Sequence, residues 1–381
     1  MTVFTATEVF INGAFIRDGW IQVDAGRIIA AGTDPPPDAT SLGDARIVPG
    51  YVDIHTHGGG GSGFGADRQA AAAAARFHLA CGTTSLIASL ATATLSELSH
   101  QVTHLVPLVH DGTLAGIHLE GPFLNVARKG AHNPELLMSP DLGWLSDVIA
   151  SGNTPSGACA IKMVTLAPEL PEGRPAIELV VGKGVVAAIG HSDATYEQTV
   201  AAIDAGVTVA THLFNGMPPP HHRKPGPVVA LLRDPRVTVE LINDGIHLHP
   251  GIVGGVFDAV GSRRIAFVTD AIDATGMTDG HYVLAGSKIV VEGGVARLEG
   301  ADSLAGSTLT MDVSVKNAVR DGIAIEQAIV AATRTPALAL GLSDRGELRA
   351  DYRADLIVLN QDLDVVKVMH QGSWMEGVGS P

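Results

Sequence analysis

Short apolar runs alternate with longer helical stretches through the middle of the chain. Eight runs read as strands: YVDIHTH (51–57), TSLIAS (84–89), LAGIHLE (114–120), IKMVTLA (161–167), VVAAIGH (185–191), VTVATHL (207–213), VTVELIND (237–244) and IAFVTD (265–270). Stretches such as DRQAAAAAARFHLACG (67–82), LSELSHQVTHLVPLVHDG (95–112) and TYEQTVAAIDAG (195–206) are rich in Ala or Leu and close on Gly, as helices ending in a left-handed cap do. Eight β-then-α units predict an α/β fold, a parallel (β/α)8 TIM-like barrel rather than an open sheet. The two ends read differently. VFING, WIQVDAG and RIIAAG, closed by TDPPPDAT (33–40), and later ADLIVLNQD (354–362) and DVVKVMHQG (364–372), are strands parted by turns. Neither end can build its own core, so residues 1–48 and 344–381 are expected to pair as one small β domain beside a barrel of residues 49–343.

In such a barrel the chemistry sits at the C-terminal ends of the strands. Those ends carry His55 and His57, Glu120, His191, His212 and Asp270, with His247 just after the seventh strand. The opposite ends show nothing comparable. His55 and His57 stand two apart on a strand and so face one way. Alone they fit buried, hydrogen-bonded histidines as well as a metal clamp; beside a carboxylate and two further strand-end histidines, the metal reading prevails. The two oxygens of Glu120 could bridge a pair of cations about 3.5–4 Å apart, or merely support a neighbour. Asp270 is either an anchor or the base that handles protons, since a nearby cation would lower its pKa and keep it ionised. His118 is assigned to filling the barrel.

Composition narrows the partners. Of 381 residues, 46% are hydrophobic and 17% charged, enough for a substantial core. Forty acidic against 25 basic side chains leave a net charge of −15, which argues against nucleic acid. Cys81 and Cys159 form no disulfide framework, and no apolar run reaches the ~18 residues of a membrane span, so a reduced, cytoplasmic setting is expected. Against this acidic background, NGMPPPHHRKPGP (215–227) sets Arg223 and Lys224 beside His221 and His222. That is either an ordinary solvated loop or a place to capture an anionic group such as phosphate. GGGGSG (58–63) satisfies GxGxxG but has no acidic residue ~20 positions on, and is read as a flexible loop at the barrel mouth. His100 and His104 lack a third partner and are read as a solvated helix face.

The segments PGYVDIHTHG (49–58), GIHLEGPFLN (116–125), KGAHNPE (129–135), GHSDAT (190–195), THLFNGMPP (211–219), NDGIHLHP (243–250), VTDA (268–271), LAGSTLTM (304–311) and ADLIVL (354–359) span nearly the whole chain. In them the sequence resembles the amidohydrolase superfamily and, within it, the family of N-acetylglucosamine-6-phosphate deacetylases. The resemblance implies a barrel with a β-sandwich built from both termini, usually a homodimer, acting on a phosphorylated amino sugar. It implies hydrolysis of the acetamide of N-acetyl-D-glucosamine 6-phosphate to D-glucosamine 6-phosphate and acetate. Glu120, His191 and His212 would hold the metal common to the family, and His55 and His57 a second, with Glu120 bridging and Asp270 contributing. The cofactor would be one or two divalent ions per subunit, zinc ahead of iron, manganese or cobalt. Asp270 matches the catalytic acid/base. Ala131, His132, Asn215, Gly216, Arg223, His247, Leu304, Ala305, Gly306 and Ser307 fall in substrate-binding positions, Arg223 and His247 at the sugar-phosphate end. Two other readings stand beside this one. A cyclic-amide hydrolase would bridge its metals with a carboxylated lysine, for which Lys162 is the candidate. A non-catalytic scaffold would show missing ligands, and none is missing.

Overall fold

The computed structural model describes residues 1–376 and 378. Its central sheet has eight parallel strands: β1 (Tyr51–Thr56), β2 (Thr83–Ala91), β3 (Gly116–Glu120), β4 (Ile161–Leu166), β5 (Val186–Ile189), β6 (Val207–Ala210), β7 (Thr238–Ile242) and β8 (Ile265–Val268), side by side in chain order. The ring is completed between β8 and β1. There the backbone N–H of Asp270 donates to the His55 carbonyl at 2.8 Å, and Thr269 donates to the buried Asp53 carboxylate through both its N–H and its hydroxyl. Burial lifts Asp53 to about 7, against the pull of those hydrogen bonds.

Helices α1 (Arg68–Ala80), α2 (Leu95–His110), α3 (Leu142–Ser151), α4 (Gly173–Gly182), α5 (Tyr196–Asp204), α6 (Gly226–Arg233) and α7 (Pro250–Val260) connect successive strands; α8 (Met311–Arg320), α9 (Ile325–Ala332) and α10 (Arg334–Ala339) follow β8. Local chemistry sets several starts. Asp67 caps α1 through the N–H of Ala70, and Thr94 with Glu97 forms a reciprocal capping box on α2. Apolar helix faces such as Leu98, Val102 and Leu105 then bury against the barrel wall in one continuous core with Ile117, Leu119 and Val164.

Both termini build the rest. A four-stranded sheet runs in the order Arg27–Gly32, Trp20–Asp24, Thr2–Thr5, Thr40–Ser41. A six-stranded sheet runs Ser373–Trp374, Val365–His370, Leu356–Leu359, Arg46–Pro49, Glu8–Ile11, Ala14–Arg17. Leu356–Leu359 pairs antiparallel with Arg46–Pro49, so the two chain ends meet in one sheet. Phe4, Ile21 and Ile28 of the smaller sheet pack with Val9, Ile47 and Leu356 of the larger, which makes the pair a sandwich. Positions 377 and 379–381 of the expected C-terminal segment lie outside the described residues.

Three expectations change. Strands β5, β6 and β8 stop at Ile189, Ala210 and Val268, so His191, His212 and Asp270 lie two residues beyond them rather than within them. A three-stranded antiparallel meander, Gly280–Leu284, Ser287–Glu292 and Val295–Leu298, sits between β8 and α8 where no strands were expected. Its turns at Ala285–Gly286 and Gly293–Gly294 take positive φ, the geometry that tight hairpins need. Finally, GGGGSG is not a loose loop. Gly58–Gly59 and Ser62–Gly63 pair antiparallel, and a side chain at Gly59 would collide with Phe77 and His78 of α1.

Candidate active site

Each barrel element delivers its chemical group by a distinct local device. His55 belongs to β1, His57 directly follows it, and Glu120 is the last residue of β3. His191, His212 and Asp270 have φ of 48°, 28° and 49°. This left-handed region costs non-glycine residues on the order of 1–3 kcal/mol. It turns the chain sharply after strands β5, β6 and β8, and all three side chains come back over the barrel mouth. Gly216 clears the space: a Cβ there would lie 2.8 Å from His191 Nδ1.

The groups meet around Glu120. Its Oε1 lies 3.0 Å from His212 Nε2, 3.2 Å from His191 Nε2 and 3.5 Å from His55 Nε2. Its Oε2 lies 3.1 Å from His57 Nε2. Asp270 Oδ1 is 3.2 Å from His57 Nε2 and 3.5 Å from His55 Nε2. All six residues are buried. Burial alone would raise both acids, but the histidines outweigh it and hold Glu120 and Asp270 below the usual carboxylate range. Conversely, burial pulls His57 down, while hydrogen bonds to Asp270 and Glu120 lift it to about 9.

The donor set fits a divalent cation. His55 Nδ1 donates to Glu240 Oε2 at 3.0 Å, His57 Nδ1 to the Ser89 carbonyl at 3.1 Å and His191 Nδ1 to the Arg128 carbonyl at 2.8 Å. With those protons committed, the neutral form of each of these three rings carries its lone pair on Nε2, facing inward, the tautomer that metal-binding histidines use. The Nε2 atoms of His55 and His57 are 3.3 Å apart and those of His191 and His212 3.1 Å apart. Ring nitrogens this close, beside two carboxylates, suit a shared positive charge, either a proton or a metal ion. His55, His57 and Glu120 form one group close enough to hold an ion, and Glu120, His132 and His191 form another. His132 also stands near, with Nε2 3.7 Å from Glu120 Oε2, but its Nδ1 accepts the backbone N–H of Thr92 at 3.4 Å. Its proton therefore sits on Nε2, making it a donor into the cavity rather than a ligand. Burial and the neighbouring histidines depress it to about 3, so it stays neutral.

Residues 46–375 match the Amidohydrolase family. The chain belongs to that family. Among its relatives, the N-acetylgalactosamine-6-phosphate deacetylase of Escherichia coli is 35% identical over 367 residues, 93% of this chain and 96% of that one. The N-acetylglucosamine-6-phosphate deacetylase of Lysinibacillus sphaericus is 33% identical, covering 94% and 90%. An aspartate-to-alanine variant of the N-acetyl-D-glucosamine-6-phosphate deacetylase from Mycobacterium smegmatis, solved with N-acetyl-D-glucosamine-6-phosphate, superposes with a TM-score of 0.94 at 46% identity and covers 98% of each chain.

In this amidohydrolase a cavity of about 260 Å³ opens over the cluster. Ala131, His132, Asn215, Gly216, His247, Leu304 and Gly306 line it together with the His, Glu and Asp groups. Other expected substrate residues do not reach it. Ala305 is wholly buried in the small core beneath the meander, and Ser307 spends its hydroxyl on the Thr269 carbonyl at 2.6 Å. Arg223 is exposed outside the cavity lining and donates to His222 Nε2 at 2.7 Å. His118 fills the barrel as expected, bonded to Ser89 Oγ at 2.9 Å and Thr165 Oγ1 at 2.7 Å. Lys162 stands at the N-terminal end of β4, beside Gly116 at the start of β3, which is the wrong end of the barrel to bridge metals. Among the described residues no helix is long and apolar enough to cross a membrane.

Sequence reasoning missed Glu240. This wholly buried acid accepts both His55 Nδ1–H and the backbone N–H of His212, each at 3.0 Å. One signal was available: a lone acid in the middle of the apolar run VTVELI. Asp53, in YVDIH, carries the same mark.

Proposed function

We propose that the chain is a metal-dependent deacetylase that hydrolyses N-acetyl-D-glucosamine 6-phosphate to D-glucosamine 6-phosphate and acetate. The observation that carries the reading is the convergence of four histidine Nε2 atoms on Glu120 beside Asp270, with Glu120, Asp270 and three of those histidines lining one cavity. The substrate class comes from the relatives. Glu120, His191 and His212 are assigned to one cation and His55 and His57 to a second, with Glu120 between them and Asp270 alongside. Zinc is the proposed occupant, with iron, manganese or cobalt also suited to these donors. A divalent cation bound there supplies Lewis acidity, acidifying water and polarising a carbonyl.

The remaining steps belong to the chain's own groups. Asp270, held ionised, takes a proton from the attacking water, whose oxygen bonds to the acetyl carbon. The Nε2–H of neutral His132 donates to the oxyanion that forms. Asp270 then returns its proton to nitrogen as the C–N bond breaks, because an amine leaves poorly unless protonated. The sugar is assigned to the wall of Ala131, Asn215, Gly216, His247, Leu304 and Gly306. Its phosphate points toward His247 and, on the adjoining loop, Arg223. Residues 1–48 with 344–381 are the supporting unit and 49–343 the hydrolase unit of a cytoplasmic homodimer.

The Escherichia coli relative favours a second substrate, the galactosamine epimer. Acetate release from both N-acetylhexosamine 6-phosphates and from their unphosphorylated forms tests the reading, each metal being restored after chelation. Acetate from a phosphorylated sugar, faster than from its unphosphorylated counterpart, is the expected result. No acetate with any of the four metals sinks it.

A further inference from the structure

Beside the site cavity lies a second, larger chamber of about 570 Å³. The two share a wall, since His57, Ala91, Leu284 and Ala285 line both. Ala91 is the last residue of β2, Leu284 ends the first strand of the meander and Ala285 begins its turn. The chamber therefore borders the cluster on its β1–β2 side.

The two spaces differ in the groups they offer rather than in overall polarity. Across the site cavity, the segments after β6 and β7 offer Asn215, Gly216 and His247, groups suited to hydroxyls and phosphate. Next to the shared wall, the chamber offers carbon from Leu90, Ala93 and Val283. Its acidic lining residues are Glu97 and Asp273, and among the described residues neither Lys nor Arg lines it. Glu120 and Asp270 of the site cavity are matched by His132, His191, His212 and His247, whereas the chamber sets only the shared His57 against its two carboxylates and so disfavours phosphate. A sugar phosphate is thus confined to the β6–β7 side. An amide carbon carries its nitrogen and its acyl chain on different sides, so the chain of a substrate held that way diverges toward β1–β2.

We infer that the second chamber receives the acyl group and that the enzyme hydrolyses N-acyl-glucosamine 6-phosphates with chains longer than acetyl, through butyryl to hexanoyl. The inference rests on the deacetylase reading. The reaction needs nothing new: the oxygen of water bonds to the acyl carbon, the C–N bond breaks and a water proton passes to nitrogen. The products are the longer carboxylate and glucosamine 6-phosphate.

The test uses the metal-loaded enzyme with N-acetyl, N-propionyl, N-butyryl and N-hexanoyl glucosamine 6-phosphate, reading amine release. A closed pocket would lose roughly 10–200-fold per added methylene, whereas the open chamber keeps butyryl within about tenfold of acetyl. Ala93→Phe fills the chamber without entering the lining of the site cavity. It is expected to cut butyryl and hexanoyl turnover at least ~10-fold and to spare acetyl. Val283→Trp, at a 58% exposed position on the chamber's rim, serves as a second variant with little risk to folding and should do the same. An enzyme that hydrolyses acetyl but loses propionyl by roughly a hundredfold overturns the inference and leaves the deacetylase reading intact. So does unchanged chain-length preference in both variants. Failure with acetyl as well overturns the reading and the inference together.

Discussion

Replacing Glu240 with Gln should loosen the centre from behind without touching the cavity. Glu240 Oε2 accepts His55 Nδ1–H and His212 N–H, while Oε1 is buried and has no partner among the described residues. A Gln can keep its oxygen on both donors and put its NH2 where Oε1 stood, so the main change is loss of negative charge. The charge-assisted bond that makes the His55 ring a better ligand becomes a neutral one. Partners of this kind are worth roughly 10–100-fold in metal affinity, or about 1.4–2.7 kcal/mol. The loss should fall mainly on the His55–His57 ion. His55 is linked through its ring, whereas His212 is linked only through its backbone N–H. Metal-stripped wild type and E240Q are titrated against a chromophoric chelator, and bound metal is counted by mass spectrometry. The expected result is one ion retained at near wild-type affinity and one released early. Two ions held equally tightly in E240Q would refute the reasoning. E240A is a poor substitute, because it strands two buried N–H groups at about 1–3 kcal/mol each.

Two further outcomes follow from the geometry. Asp270→Asn removes the proton acceptor at nearly constant shape, so kcat should fall by at least ~10²-fold while KM changes little; unchanged turnover in a steady-state assay would take Asp270 out of the acid/base role. His78 is fully buried, donates through Nε2 to the Gly58 carbonyl at 2.8 Å, and is depressed by burial to about 4. Because its folded value lies below the unfolded 6.5, its contribution is complete above pH 6.5 and drains away as pH falls toward 4, by up to about 3 kcal/mol. His78→Asn should therefore flatten the denaturation midpoint between pH 7 and 4.5, and parallel wild-type and variant curves would dismiss this account.

The split between what the sequence disclosed and what it concealed follows from how each group is placed. Strand ends were legible because an apolar run that stops at a histidine or acid carries both fold and chemistry in one pattern; His55, His57 and Glu120 could be placed almost to the residue. His191, His212 and Asp270 were legible as chemistry but not as geometry, since a left-handed backbone at a non-glycine residue has no compositional mark. Leu304 and Gly306 line the cavity while Ala305 and Ser307 do not, because an irregular segment turns successive side chains to different surroundings and motif position cannot say which. The meander went unread for a different reason: among the described residues its strands form a sheet of their own, joined to no barrel strand, so nothing in the barrel's eight-unit rhythm required them.

Glu240 and Asp53 were the legible residues passed over. A carboxylate in the middle of an apolar strand must find a donor inside the protein, since leaving it unpaired costs several kcal/mol. In a closed barrel, donors at that depth come from the acid's own backbone neighbours, as the His55 N–H does for Asp53, and from other strands of the ring and the turns that follow them. Such an acid therefore reports on a group elsewhere in the ring even when the partner cannot be named: here His55 and His212 for Glu240, and Thr269 for Asp53. The same carboxylates that join β1 to β8 and β7 to β1 thus fix the positions of His55, Asp270 and His212. Barrel closure and the placing of the candidate ligands are one set of hydrogen bonds.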